Sequence, residues 1–285
     1  MSLRFIPPRW KSALFSALAF STFFAAGVNA QSPPEHPARV QLVWDGRPIR
    51  PGHKLWVGVL FRLKPGWHIY WQNPGDSGEP PKIQWKLPAG FNGGDILWPR
   101  PILLGKGSVR DYGYEGDVLL MTPLETPPNL QASSPIVLAA TLTYVACREI
   151  CIPGKAEVTL SVPLYGQPNE NPSPWRELFQ ITRGQLPKPL PPDWKASAAS
   201  EGENFVLTVE CAGAVQRVIF FPLDPGVIEN AAPQIMSVDD KTVRLMLKKS
   251  EQLVKPLSNL RGVIVFDKNH AYKIDAPVMT TTKAD

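Results

Sequence analysis

The chain has 285 residues, a formal net charge of +5, 32 prolines, 21 glycines and three cysteines. So small a charge gives no electrostatic case for nucleic-acid binding, and three cysteines are too few for a disulfide-framework scaffold. After the first thirty residues no stretch approaches the roughly 18 uninterrupted apolar residues of a membrane span.

Residues 1–30 read as a secretory signal: Arg4, Arg9 and Lys11, then an apolar run from Ala13 to Ala26, then Val28-Asn29-Ala30 suited to cleavage. Those basic residues account for three of the five net charges, so the exported remainder is near neutral. No cysteine directly follows the leader, which argues against a lipid anchor there, and the mature chain reads as a soluble exported protein. Residues 31–285 have the length of two ordinary domains.

From Arg39 the pattern is strand after strand. Val40, Leu42 and Trp44 alternate with Arg39 and Gln41; Leu55, Val57, Val59, Phe61 and Leu63 form the clearest inward face, ended by Pro65-Gly66. A short aromatic strand in WHIYWQNPGDSGEPP runs into a turn-rich loop. Ile83, Trp85 and Leu87 alternate next, Ile96 to Trp98 is short and stops at Pro99, and RDYGYEGD precedes a strand from Val118 to Leu124.

Two period-two runs, Ile136 to Val145 and Val158 to Leu164, flank CREICIPGK. In a continuous strand Cys147 and Cys151 would lie about 13 Å apart at Cα, whereas a disulfide needs roughly 4.4 to 6.8 Å, so pairing them requires a turn. The segment reads as a hairpin with both cysteines near its tip and Pro153-Gly154 as the breaker. By parity Cys147 falls with Thr141 and Thr143 on the less core-like face, where its sulfur is reachable.

About eight short strands without a long helix predict an immunoglobulin-like sandwich over residues 31–165. A proline-rich linker spans 166–195, with Ser173-Pro174 starting a helix that carries Trp175, Leu178, Phe179 and Thr182 on one face and ends at Gly184. A second β-sandwich follows over 196–285, with runs at Phe205 to Cys211, Val215 to Phe221, Ile235 to Val238, Thr242 to Leu247, Gly262 to Phe266 and Tyr272 to Val278. Cys211 shares parity with Phe205, Leu207 and Val209 and reads as a buried free thiol. The fold class is thus all-β: two immunoglobulin-like sandwiches joined by the linker, after a cleaved signal peptide.

The cysteine pair closes so short a loop that chain entropy credits it with only about 2 kcal/mol. Arg148 favours a thiolate at Cys147 and Glu149 opposes it. Spacing and context leave a redox-active pair and a structural hairpin staple both open. Cu(I) on Cys147 and Cys151 is a further reading, since thiolates suit that soft ion, although His36, His53, His68 and His270 are scattered without ligand spacing. Asp76-Ser77-Gly78 reads as a turn, and Trp85 as core.

The ordered set GWHIYWQNPGDSGEPP (66–81), WPRP (98–101), YGYEG (112–116) and C-x-x-x-C-I-P resembles the amino-terminal domain of the bacterial thiol:disulfide interchange protein DsbD. It is most similar to the longer form in suppressor-of-copper-sensitivity (ScsB-like) proteins, well over Val40 to Leu164 and more loosely beyond. The resemblance implies that Cys147 and Cys151 are the catalytic, exchanging pair of a protein-disulfide reductase type of component. They would take electrons from a membrane donor and hand them to thioredoxin-like periplasmic proteins, with no diffusible cofactor. It also implies an aromatic cap over the pair, at Tyr112, Gly113 and Tyr114, and lining positions at Tyr70 and Trp71. Two departures stand out. The family separates its cysteines by five residues and this chain by three, and no counterpart of the membrane or carboxy-terminal thioredoxin-like domain follows here, so the donor is expected to be another polypeptide. The alternative is a copper-handling or adaptor module with a structural disulfide.

Overall fold

Period-two alternation becomes strand almost wherever it occurs. The computed structural model describes residues 36–105, 107–166, 173–211, 215–267 and 270–280. The export signal expected over residues 1–30 lies outside them.

The first ten strands are β1 (Ala38–Trp44), β2 (Lys54–Leu63), β3 (His68–Gly75), β4 (Lys82–Lys86), β5 (Asn92–Gly93), β6 (Ile102–Leu104), β7 (Asp111–Glu115), β8 (Asp117–Glu125), β9 (Ile136–Cys147) and β10 (Cys151–Val162). They form two sheets, ordered β1-β2-β8-β5 and β10-β9-β3-β7-β6, with β4 also paired to β9. Leu42, Val59, Phe61 and Leu120 from the first sheet pack against Ile69, Trp71, Leu142 and Tyr144 from the second. Burying each such side chain contributes roughly 1.5–3 kcal/mol relative to leaving it in water. This is the expected immunoglobulin-like sandwich.

Three local expectations are corrected. β6 and β7 are strands, although the sequence between Pro99 and Val118 offers mainly turn residues. Ile96 to Trp98, read as a strand, contributes only an isolated bridge from Leu97 to Met121. Pro153-Gly154 does not break the hairpin, because β10 starts at Cys151 and pairs Pro153 with Val145 and Gly154 with Tyr144. β10 is an edge strand, where a missing N–H costs nothing if it faces outward. Gly154 is required there because a Cβ would stand 2.4 Å from the Tyr144 ring.

The helix α1 spans Arg176–Gln185, with Trp175 at its N-cap. It lays Phe179, with Trp175 and Leu178, on Val43, Leu60, Leu119 and Met121, the outward face of the first sheet. The expected start and stop both shift. Ser173 Oγ accepts the Trp175 N–H at 3.2 Å and donates to the Trp44 carbonyl at 2.7 Å, so it ties the entry of the helix to β1. Gly184 lies inside the helix, which ends at Gln185 because Leu186, the residue before Pro187, is pushed out of the helical region.

The carboxy-terminal strands are β11 (Lys195–Glu201), β12 (Asn204–Glu210), β13 (Val218–Pro222), β14 (Ile235–Asp239), β15 (Thr242–Lys248), β16 (Asn259–Phe266) and β17 (His270–Thr280). Their order is β13-β16-β17-β11-β12-β15-β14. β17 pairs antiparallel with β16 along most of its length and then runs parallel to β11 from Val278. Phe205, Leu207 and Leu245 thereby meet Phe220, Leu260 and Ile264 across a second core. Cys211 is a buried free thiol in that core, and burial pushes its pKa up.

The two cores touch. Phe221, Val263, Val265 and Ala271 pack into the first, where Phe221 meets the Tyr112 ring edge-on at 5.2 Å and the Trp71 ring at 6.4 Å. Among the described residues no helix is long and apolar enough to cross a membrane.

Candidate functional site at the hairpin tip

The β9–β10 ladder pairs residues without slippage from Ile136 and Val162 up to Cys147 and Cys151, which stand directly opposite each other. Only Arg148, Glu149 and Ile150 lie between them, closed by the Arg148 N–H donating to the Ile150 carbonyl at 3.0 Å. The Cα atoms are 4.1 Å apart, the close approach of a non-hydrogen-bonded cross-strand pair, and the sulfurs are joined.

Exposure differs between the two. Cys151 is exposed on the edge strand, whereas Cys147 is 3% exposed. The parity expectation is therefore half right: Cys147 does point away from the sandwich core, yet it is covered. Its cover comes from β3, where His68 is the residue in register with Cys147. Alternation then puts His68 and Tyr70 on the disulfide face and Ile69 and Trp71 in the core. The Tyr70 hydroxyl lies 3.8 Å from Cys151 Sγ and 3.5 Å from Ser77 Oγ. At the tip Arg148 lies over the Trp67 ring at 5.6 Å, a cation–π contact.

Tyr70, expected as a lining position, lies with its hydroxyl beside Cys151 Sγ. Trp71, the other expected lining residue, does not line the pair: it is fully buried on the opposite face, in the core. The cap expectation is also corrected. Ile69 pairs with Tyr114 and Tyr70 with Gly113, so the rings of Tyr112 and Tyr114 share the core face of Ile69, away from the sulfurs. Tyr114 donates to the Pro99 carbonyl at 2.8 Å and Tyr112 to Asn230 Oδ1 at 2.7 Å. Gly113 lets β7 approach β3, since a Cβ there would stand 2.1 Å from the Ile69 carbonyl oxygen.

What presses on Tyr70 is the loop after β3. A Cβ on Gly78, whose φ is +70°, would stand 2.1 Å from Tyr70 Cζ, so only glycine lets this loop lie on the ring. Asp111, buried, accepts the Ser77 N–H and the Ser77 hydroxyl, both at 2.9 Å, and fixes the loop to β7. Sequence reasoning took 76–78 as a turn and passed over Asp111; its place at the start of an aromatic strand gave no signal.

Burial pushes the Tyr70 hydroxyl above its ordinary pKa and the Asp111 charge adds to this, while the Ser77 hydrogen bond opposes it. Tyr70 is therefore a neutral phenol with a proton to give. Burial holds His68 below its ordinary 6.5 against the opposing pull of Asp111 and Glu115, and its Nε2 is buried without a partner. A histidine that binds its proton less readily when folded loses stability as pH falls: the contribution is whole above about 6.5 and declines below it. The denaturant midpoint of the oxidised protein should fall between about pH 7.5 and 5.5, and less steeply in His68→Gln. Parallel pH profiles for the two proteins would contradict this.

Joined to each other, Cys147 and Cys151 offer no thiolate to Cu(I) in this state; only the reduced pair presents two. Among the described residues no group of three or more His, Cys, Asp or Glu is arranged to hold a metal.

The fold and the site define an immunoglobulin-like β-protein with an accessible cross-strand disulfide at an exposed hairpin tip. Residues 38–163 match the family model of the thiol:disulfide interchange protein DsbD, N-terminal, which supports a DsbD amino-terminal-like domain in this part of the chain. The fold is similar to the crystal structure of the N-terminal periplasmic domain of ScsB from Proteus mirabilis. The TM-score is 0.65 at 16% identity, covering 87% of this chain and 96% of that one. A protein of unknown function from Porphyromonas gingivalis W83 and the periplasmic chaperone SfaE align at 14% and 9% identity. They cover 86% and 85% of this chain and 99% and 100% of theirs, but TM-scores of 0.21 and 0.22 add nothing to the argument. No curated protein matches the chain.

Proposed function

We propose that the chain is a periplasmic thiol–disulfide exchange protein that relays reducing equivalents through Cys147 and Cys151 to thioredoxin-like partners. The observation that supports this best is the asymmetry of the pair: one cysteine exposed and the other covered, at the end of a continuous two-stranded ladder. A donor thiolate attacks Cys151 Sγ, the S–S bond breaks, and Cys147 leaves as a thiolate that takes a proton. The donor's second thiol then displaces Cys151 and departs oxidised, leaving two thiols here. In the forward step the Cys151 thiolate attacks a partner disulfide, and Cys147 resolves the mixed disulfide. The partner leaves reduced and the Cys147–Cys151 bond is restored, two electrons poorer. Tyr70, a neutral phenol beside Cys151, is placed to donate a hydrogen bond to the thiolate formed there.

Opening the bond removes only about 2 kcal/mol of loop-closure stabilisation, and the β9–β10 ladder and both cores remain. Redox titration tests the reading. A potential within roughly −180 to −270 mV, with the folded signal unchanged on reduction, is expected; a value below about −300 mV would mark a staple.

A further inference from the structure

The carboxy-terminal part of the chain holds the loop that presses on Tyr70, the residue beside Cys151 Sγ. Between Asn73 and Gly78 nearly every polar group is committed, and the commitments run in two directions. Toward the carboxy-terminal part, buried Asn73 donates from Nδ2 to the Pro222 carbonyl at 2.8 Å, and Asn230 donates from Nδ2 to Asp76 Oδ1 at 2.7 Å. Asn230 also accepts the Tyr112 hydroxyl at Oδ1, so one side-chain amide clamps the loop and β7 together. The other Asp76 oxygen takes the Arg110 N–H at 2.7 Å. Toward the pair, Ser77 reaches the Tyr70 hydroxyl, Gly78 lies on the Tyr70 ring, and Tyr70 reaches Cys151.

Asn230 is itself firmly presented. It follows buried Val227 and Ile228, Ile228 bridges to Lys249, and the Glu229 N–H donates to the Lys248 carbonyl at 2.8 Å. A side chain that served only to fill the seam between the two cores would need no such double bond to a loop carboxylate and a buried phenol.

We infer that Asn230 is a positioning residue for the exchange site, through which the carboxy-terminal part of the chain holds the 73–78 loop against Tyr70 and so keeps the phenol beside Cys151, where it donates to the thiolate. This rests on the exchange reading above. Removing the amide leaves Asp76 Oδ1 and the Tyr112 hydroxyl without their partner, frees the loop to lift, and unpins the phenol beside the sulfur. Coupling through contiguous contacts of this kind changes a remote site by about two- to thirtyfold.

The test uses the full chain, reduced and desalted, with iodoacetamide labelling followed on the Cys151 peptide by mass spectrometry. Asn230→Ala should label about two- to thirtyfold more slowly than the parent, because the Cys151 thiolate loses its donor, and should shift the potential of the pair. Tyr112→Phe, which removes one hydroxyl and keeps the ring, should move both in the same direction. Gly78→Ala, which forces loop and ring apart directly, should slow labelling as well. Asn259→Ala removes an equally short amide–carboxylate bond, 2.7 Å to Asp275, far from the loop, and should change neither quantity. Parent-like labelling and potential in both Asn230→Ala and Tyr112→Phe, with Gly78→Ala slowed, would overturn the positioning role and leave the relay standing. A pair that cannot be reduced in the folded parent would overturn both.

Discussion

In the Cys147→Ala protein the remaining thiol, Cys151, should react with iodoacetamide at least about tenfold faster than Cys147 does in the Cys151→Ala protein, because reactivity follows thiolate character and access together. Cys151 stands exposed on an edge strand, with a phenol 3.8 Å away that can donate to its thiolate. Cys147 is 3% exposed and faces His68, which burial keeps neutral and unable to offer a compensating positive charge. Arg148 is adjacent in sequence, but its guanidinium is directed over the Trp67 ring. The same asymmetry predicts the trapping pattern. Cys147→Ala should accumulate a mixed disulfide with a thioredoxin-like protein, since the resolving sulfur is gone, and Cys151→Ala should accumulate little. Equal labelling rates, or complexes formed mainly through Cys147, would mean that the tip opens before attack and that the exposure seen here does not choose the nucleophile.

Much of this site was readable before any coordinates. The hairpin followed from two alternating runs around a pair of cysteines too close in sequence for an uninterrupted strand, and the ladder bears that out to the last residue. What parity could not give was the cover over Cys147, because that comes from β3, whose register against β9 is set at His68 by the fold. Trp71 was legible in principle: alternation within WHIYW separates His68 and Tyr70 from Ile69 and Trp71, and only one set can face the sulfurs. The Tyr112-Gly113-Tyr114 motif misled for a physical reason. Its glycine resembles a loop signal, yet it serves close approach of two strands, which leaves the tyrosines on one face as core. β11 had no signal, since Lys195 to Glu201 alternates small residues with little apolar contrast. Asn73 and Asn230 act across separations of 149 and 154 residues in sequence, a distance at which no local pattern speaks.

That relocation of the tyrosines carries the other large expected effect. Tyr114→Ala should destabilise the protein by about 3–5 kcal/mol, the cost of emptying an aromatic site in a packed core. Tyr114 is 6% exposed within the first core, and its hydroxyl is the donor to the Pro99 carbonyl. Burial drives its pKa well above the ordinary value, so it is neutral at any pH of interest and its role is packing plus one hydrogen bond. Tyr114→Phe separates the two contributions: it keeps the ring and should cost only about 1–3 kcal/mol for the unsatisfied carbonyl. Urea midpoints measure both variants. A shield over the cysteines predicts the reverse pattern, with little loss of stability and rapid labelling of the reduced pair. The core position predicts that Tyr114→Phe labels at the parental rate while its midpoint falls, because the ring lies across the sheet from the sulfurs and touches them only through the fold it supports.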